Sequence, residues 1–423
     1  MSTSLLRRAR HYAHVWKHLR AMRGELARHV PSGGAARTGH RLLIVPSDPW
    51  TLIGAKGDEA MMQSVVGRLR QQLPALEVGV VTATAAAQDA ARQLGFLPVD
   101  AWAGSLTEGL RRIDEFAPDM MVVLGADVLD GYYSPLTAAR MLLTAQAAAR
   151  SGTRVSILGF SFNARPHRLL KSVFDSLDAS ISVNLRDRLS RERFQRFTSA
   201  RSQLVSDSAF MLLPDVRQAE VERVGSWAAR SRDAGHVVLG FNVHPMLIRS
   251  ATPAQVAGLV DSAIAALREV CKRRPVALLL LSHDYRGNDG DDVCLAPIAN
   301  AMSALMPDRV LYPTAKFTAA QLKALAGSTD GVVTGRMHLA IASLGMERPV
   351  AALTYQDKFQ GLFAHFDYPE RFLLDPQGAA DPRRLAAMIE DFVDQLPTLT
   401  TTVMQRLPDV QRASALNLSA LTA

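Results

Sequence analysis

From Arg41 onward, short apolar runs alternate with longer stretches in which apolar residues recur every three or four positions. The short runs are "RLLIVPS" (41–47), "VGVVTA" (78–83), "MMVVLGAD" (120–127), "RVSILGFSF" (154–162) and "ASISVN" (179–184). Each is nearly continuous in apolar character, as a strand covered on both faces requires. Helical periodicity fills 58–72, 84–94, 105–116 and 135–151 between them. A charge-rich break at 214–235 precedes a second series, with strands expected at 236–245, 276–284, 309–314, 331–335 and 350–355 and helices at 254–273 and near 292–306. Such alternation predicts parallel sheets with helices on both faces. The expected fold class is α/β, with two doubly wound Rossmann-like domains facing a cleft.

At 423 residues the chain is long for one core. The pattern sets boundaries at 1–40 (a basic leader and linker), 41–225 (a first Rossmann-like domain), 236–375 (a second) and 376–423 (a helical tail). No apolar run approaches the roughly 20 residues that span a bilayer. Only Cys271 and Cys294 occur, which excludes a disulfide framework and points to a reducing, cytoplasmic compartment.

The formal charge of +8 changes this picture only locally. Residues 1–41 hold nine Lys/Arg and the single acid Glu25, leaving 39 basic and 39 acidic residues in the rest. A neutral body argues against a nucleic-acid partner. The leader "LLRRARHYAHVWKHLRAMRGELARHV" repeats Leu5, Leu6, Tyr12, Val15, Trp16, Leu19 and Met22 at near-helical spacing among cations. Two readings fit it equally: a peripheral segment on an anionic membrane surface, or a helix or tail belonging to the body. "PSGGAARTG" (31–39) reads as a linker.

In doubly wound sheets ligands sit beyond the carboxyl ends of the strands, so polar residues there are the candidates. "WTLIGAKGDEAMM" follows the first strand, with Gly54 and Gly57 permitting close backbone approach and Asp58 placed to cap a helix. It is neither a dinucleotide fingerprint nor a phosphate-binding P-loop. Asp127 ends the third run, and Arg186 follows the fifth at a helix start, where it can grip a carboxylate or phosphate or simply be a surface cation like its neighbours. Asn242 and His244 close "FNVHP", and His283, Asp284 and Asp291 lie in "LSHDYRGNDGDD", an acidic loop without the His–carboxylate spacing of a metal site. "GVVTGRMHLAIASLGMERPVAAL" (331–353) reads as strand, turn, short helix, strand, with Gly335, Arg336, Met337 and His338 at the turn; Tyr355 and Lys358 follow.

Together these stretches resemble the polysaccharide pyruvyl transferase family over roughly residues 42–375. The resemblance is most specific in Arg-Met-His-x-x-Ile-Ala-x-x-Gly (336–345), with Lys358 twenty positions after the histidine. It extends to the Gly57-Asp58-Glu59 turn, to Arg186-Asp187-x-x-Ser190, to Asn242, and to the "SHDY" segment with its downstream Asp. Members often carry consecutive glycines where this chain has Gly125-Ala126-Asp127.

The resemblance implies a two-domain, glycosyltransferase-B-like fold. It also implies transfer of the enolpyruvyl unit of phosphoenolpyruvate to two hydroxyls of one sugar, as in bacterial exopolysaccharide biosynthesis. His338 would be the general acid, with Arg186 and Lys358 as further catalytic groups, and Gly335, Arg336 and Met337 would complete the donor site. Gly57, Asp58, Asp127, Asn242, His283 and Asp284 would line the acceptor side. Phosphoenolpyruvate is then a substrate, with no metal or other cofactor required; the acceptor is a lipid-linked or polymeric sugar. Two rivals are a nucleotide-sugar glycosyltransferase of the same architecture and a non-catalytic, membrane-recruited binding protein.

Overall fold

The computed structural model describes residues 3–31, 39–54, 56–287, 290–354 and 357–422. The chain divides into two units, one of Met1–Ile53, Met61–Ser208 and Ala413–Ala423, the other of Gly54–Ala60 and Ala209–Arg412. Most of the expected linker (32–38) and Tyr355 lie outside the described residues.

The first unit is built on seven strands: β1 (Arg41–Val45), β2 (Glu77–Thr82), β3 (Leu97–Asp100), β4 (Met120–Val123), β5 (Arg154–Phe160), β6 (Ser182–Leu185) and β7 (Gln203–Leu204). All pair in parallel, in the order β3-β2-β1-β4-β5-β6-β7. The order reverses between β1 and β4, whose residues 42–45 and 120–123 are completely buried. Edge strands β3 and β7 have no apolar run, and the hydrophobic pattern does not predict them. At the end of β4, Ala126 adopts φ 42°, a left-handed backbone that suits glycine. Gly125 cannot be replaced there either, because a Cβ would lie 2.6 Å from Phe160 Cβ.

The basic leader is a helix of this unit. Thr3–Arg28 docks against the helices Leu106–Phe116 and Pro135–Arg150. Val15, Leu19 and Leu26, spaced along one stripe, are buried, while Glu25 accepts hydrogen bonds from Thr107 N and Oγ1. The chain also ends here. Asn417, wholly buried, accepts from Gly159 N at 2.7 Å and donates to Ser206 O at 2.8 Å, so residues 413–423 group with the first sheet.

The second unit carries β8 (Val237–Asn242), β9 (Val276–Leu280), β10 (Val310–Leu311), β11 (Gly331–Thr334), β12 (Val350–Leu353) and β13 (Leu373–Leu374). They are parallel in the order β10-β9-β8-β11-β12-β13, with the reversal between β8 and β11. The charge-rich segment expected to be a break contains the helix Ala219–Asp233, whose Val221, Val224 and Ala228 form a buried stripe. Three apolar positions suffice to seat a helix whose other faces are charged. This shifts the second unit's start to residue 209, ahead of the boundary expected from charge.

Candidate active site

The switch between β8 and β11 is the crevice where a doubly wound sheet takes its ligand. Polar side chains converge there. After β8 come Asn242 and His244; after β9, His283 and Asp284; after β11, Gly335, Arg336 and His338.

Asp291, immediately before the helix Asp292–Ser303, ties the three strand ends together. Its Oδ1 accepts from Arg336 Nε at 2.9 Å and Nη2 at 2.6 Å. Its Oδ2 accepts from Asn242 Nδ2 at 2.7 Å, His283 N at 2.8 Å and Asp284 N at 3.3 Å. Burial pushes the Asp291 carboxyl up, and the Arg336 guanidinium opposes that; five donors aimed at two oxygens are satisfied together only by the ionised form. Asp284 adds a contact to Arg336 Nη1 at 3.2 Å and binds Arg286 Nη2 at 2.7 Å. Asn242 Oδ1 accepts from Thr334 Oγ1, which in turn accepts from Arg336 N. The acidic loop therefore supplies the carboxylates that aim Arg336. Asp289 lies outside the described residues.

Two imidazoles are held neutral. His244 is 1% exposed, with Nε2 3.1 Å from Gly335 O. Burial, then the charges of Arg336 and Lys358, hold it well below the ordinary histidine range. His283 lies well below that range too, through burial and its neighbours His338, Arg336 and Lys56. Gly335 has no side chain because a Cβ would meet His244 Nε2 at 2.7 Å.

His338 sits in the first turn of the helix Met337–Leu344, with Arg336 at the N-cap position. Its ring packs on Gly57, where a Cβ would lie 2.3 Å from His338 Nδ1. Gly57 belongs to the first turn of the helix Lys56–Arg70, and Asp58 lies inside that turn. The same turn supplies Glu59, which pairs with Lys56 Nζ at 2.7 Å and accepts from Ala319 N at 2.8 Å. Lys56 Nζ stands 5.7 Å from the Tyr285 ring centroid, a cation–π contact. Lys358 opens the helix Lys358–Ala364.

The second unit thus gathers Gly57, Asp58, Asn242, His283, Asp284, Gly335, Arg336, Met337, His338 and Lys358. Arg186 and Asp127 belong to the first. Arg186 is not a surface cation: it is 3% exposed, donating from Nε to Ser161 at 2.8 Å and from Nη1 to Asp207 at 2.9 Å. Asp127 follows β4 and accepts from Tyr133 Oη at 3.4 Å. Asp291 and His244 stand out in the sequence but fall outside the expected site, and no local pattern marks Lys56. The local pattern around Asp291, six residues with three acids and two glycines, is that of an exposed loop.

Doubly wound parallel sheets, one presenting cations and imidazoles at its switch point, define an α/β protein of glycosyltransferase-B-like fold. Residues 56–357 match the polysaccharide pyruvyl transferase family, to which the chain belongs; the match bounds it as a transferase. Among solved structures, the UDP-GlcNAc 2-epimerase from Neisseria meningitidis bound to UDP-GlcNAc is similar at TM-score 0.56 and 12% identity, covering 90% of this chain and 99% of that one. A glycosyltransferase from Rickettsia africae gives 0.53 and 12%, covering 91% and 98%. At that identity the likeness is one of fold. No curated protein matches.

Proposed function

We propose that the protein transfers the enolpyruvyl unit of phosphoenolpyruvate to two hydroxyls of one sugar, forming a cyclic pyruvate ketal and releasing phosphate. The observation that carries this reading is the Arg336–His338 turn, braced by buried Asp291 and packed on Gly57, in a chain of the pyruvyl transferase family.

The chemistry needs an acid and a fixed cation. His338 delivers a proton to the methylene carbon, leaving an oxocarbenium-like centre at C2 that the first hydroxyl attacks. The C2–O bond to phosphate then breaks, and the second hydroxyl closes the ring. Of the two hydroxyl protons, one restores His338 and the other leaves with phosphate. Arg336, aimed by Asp284 and Asp291, and Lys358, at a helix start, supply positive charge for a donor carrying both carboxylate and phosphate. His283, held well below the ordinary histidine range, stands beside His338 as a neutral imidazole. Exopolysaccharide assembly at the inner face of the membrane is the setting this reading implies.

The test is phosphate release from phosphoenolpyruvate with lipid-linked and water-soluble oligosaccharides, the ketal being located by NMR. His338→Gln is expected to keep donor binding and lose about 10²–10⁴-fold in turnover. A protein that melts higher with a nucleotide sugar, yet neither binds nor consumes phosphoenolpyruvate, would overturn the reading.

A further inference from the structure

The helix Thr3–Arg28 has two faces of opposite kind. Val15, Leu19 and Leu26 fix one face to the first unit. On the other, Arg7, Arg10, Lys17, Arg20 and Arg28 are exposed, spread over roughly 30 Å of helix axis. Glu25, the only acid of the helix, is turned aside to Thr107 and does not offset them. On the flank, Tyr12 and Trp16 are 46% and 49% exposed, with Arg20 over the Trp16 ring at 5.5 Å. Beside them Arg7, His11, Tyr12 and His167 line a hollow of about 440 Å³, with no carboxylate among its described lining residues. Tyr12 stacks on His167, whose buried Nδ1 has no hydrogen-bond partner among the described residues.

We infer that this face docks on the surface of a bilayer containing anionic phospholipid, with the hollow accepting a headgroup phosphate. A line of cations on a rigid helix complements a flat negative surface. Half-exposed tryptophan and tyrosine beside it suit the headgroup layer, where an apolar ring and a polar edge are both satisfied. Nucleic acid would use the cations but gives the two rings no such layer. A second copy of the chain would oppose like charges. Because the inner face of the helix is part of the core, the helix stays folded whether or not it is bound, and docking costs no ordering of the segment.

Full-length protein is expected to co-sediment with phosphatidylcholine vesicles containing one-third phosphatidylglycerol, and to stay in solution with phosphatidylcholine alone. Salt of about 1 M, with a screening length near 3 Å, should release it. The triple variant Arg10→Glu, Lys17→Glu, Arg20→Glu leaves the buried stripe intact. It should melt at the parent temperature and lose at least roughly 100-fold in partitioning, at roughly fivefold for each cation lost. Trp16→Phe should abolish the blue shift that vesicles induce in tryptophan emission. Binding is read without substrate, so its outcome is separate from that of the proposed reaction. The inference fails if intact protein ignores the anionic vesicles at low salt, or if the folded triple variant binds them as the parent does. It fails equally if duplex DNA is retained by this face and vesicles are not.

Discussion

At Gly57 a single missing methyl lets His338 lie against a helix turn. Sequence marks Gly57 as a place of close approach, but its partner lies far along the chain, and no local pattern names it. Gly57→Ala forces either the turn or the imidazole to move. An ångström of misplacement is expected to lower turnover about 10²-fold, with a much smaller change in melting temperature; equal activity in phosphate release would remove His338 from the acid's role. The neutral imidazoles give a second expectation. His244 and His283 lie well below 6.5 when folded, so the unfolded chain binds protons first as pH falls. Their contribution to stability is whole above pH 6.5 and is lost progressively below it. Denaturant midpoints at pH 7 and 5 should show His244→Asn losing less over that interval than the parent.

Among elements, the sequence shows the long, strongly patterned ones. Ten strands and the helices between them coincide with apolar runs and helical periods, because buried parallel strands cannot hide their composition. What it conceals are elements of few residues or mixed character: β3, β7 and β13, and the helix Ala219–Asp233 with its three-residue stripe. Function hides the same way. "GNDGDD" has the composition of a solvated loop, yet Asp291 is wholly buried and accepts five hydrogen bonds. Asp291→Asn turns one acceptor atom into a donor facing donors. Unfolding by urea should show a loss of about 3–5 kcal/mol, and turnover should fall with Arg336 no longer aimed. Arg186 poses a related question. Arg186→Lys keeps the charge but not the fork shared by Ser161 and Asp207, so a drop in stability without a drop in donor affinity would make it a structural ion-pair partner.

For the molecule as a whole, one buried cation sets a pH dependence opposite to that of paired surface lysines. Lys323, 2% exposed, donates to the carbonyls of Phe210 and Leu212, and burial brings it down to about 8. The unfolded chain holds that proton up to about 10.5, so between pH 8 and 10.5 the folded state gains as pH rises. Relative to Lys323→Met, the parent should gain on the order of 3 kcal/mol between pH 7 and 10.5 in denaturant unfolding. A difference that is equal at both pH values would show that the lysine keeps its ordinary pKa, its ammonium hydrated in the fold.

The seven residues Gly54–Ala60 belong with a body of chain that resumes only at Ala209. They bring the glycine under His338 and the carboxylate that receives Ala319 N. Heredity must treat those distant stretches as one part. A recombinant gene joining the first two hundred codons of one relative to the remainder of another would pair the turn of one parent with the histidine of the other. Exchange of whole donor-side halves between lineages is therefore constrained by seven codons near the start of the reading frame, and a functional chimera would have to carry them across with the half they serve.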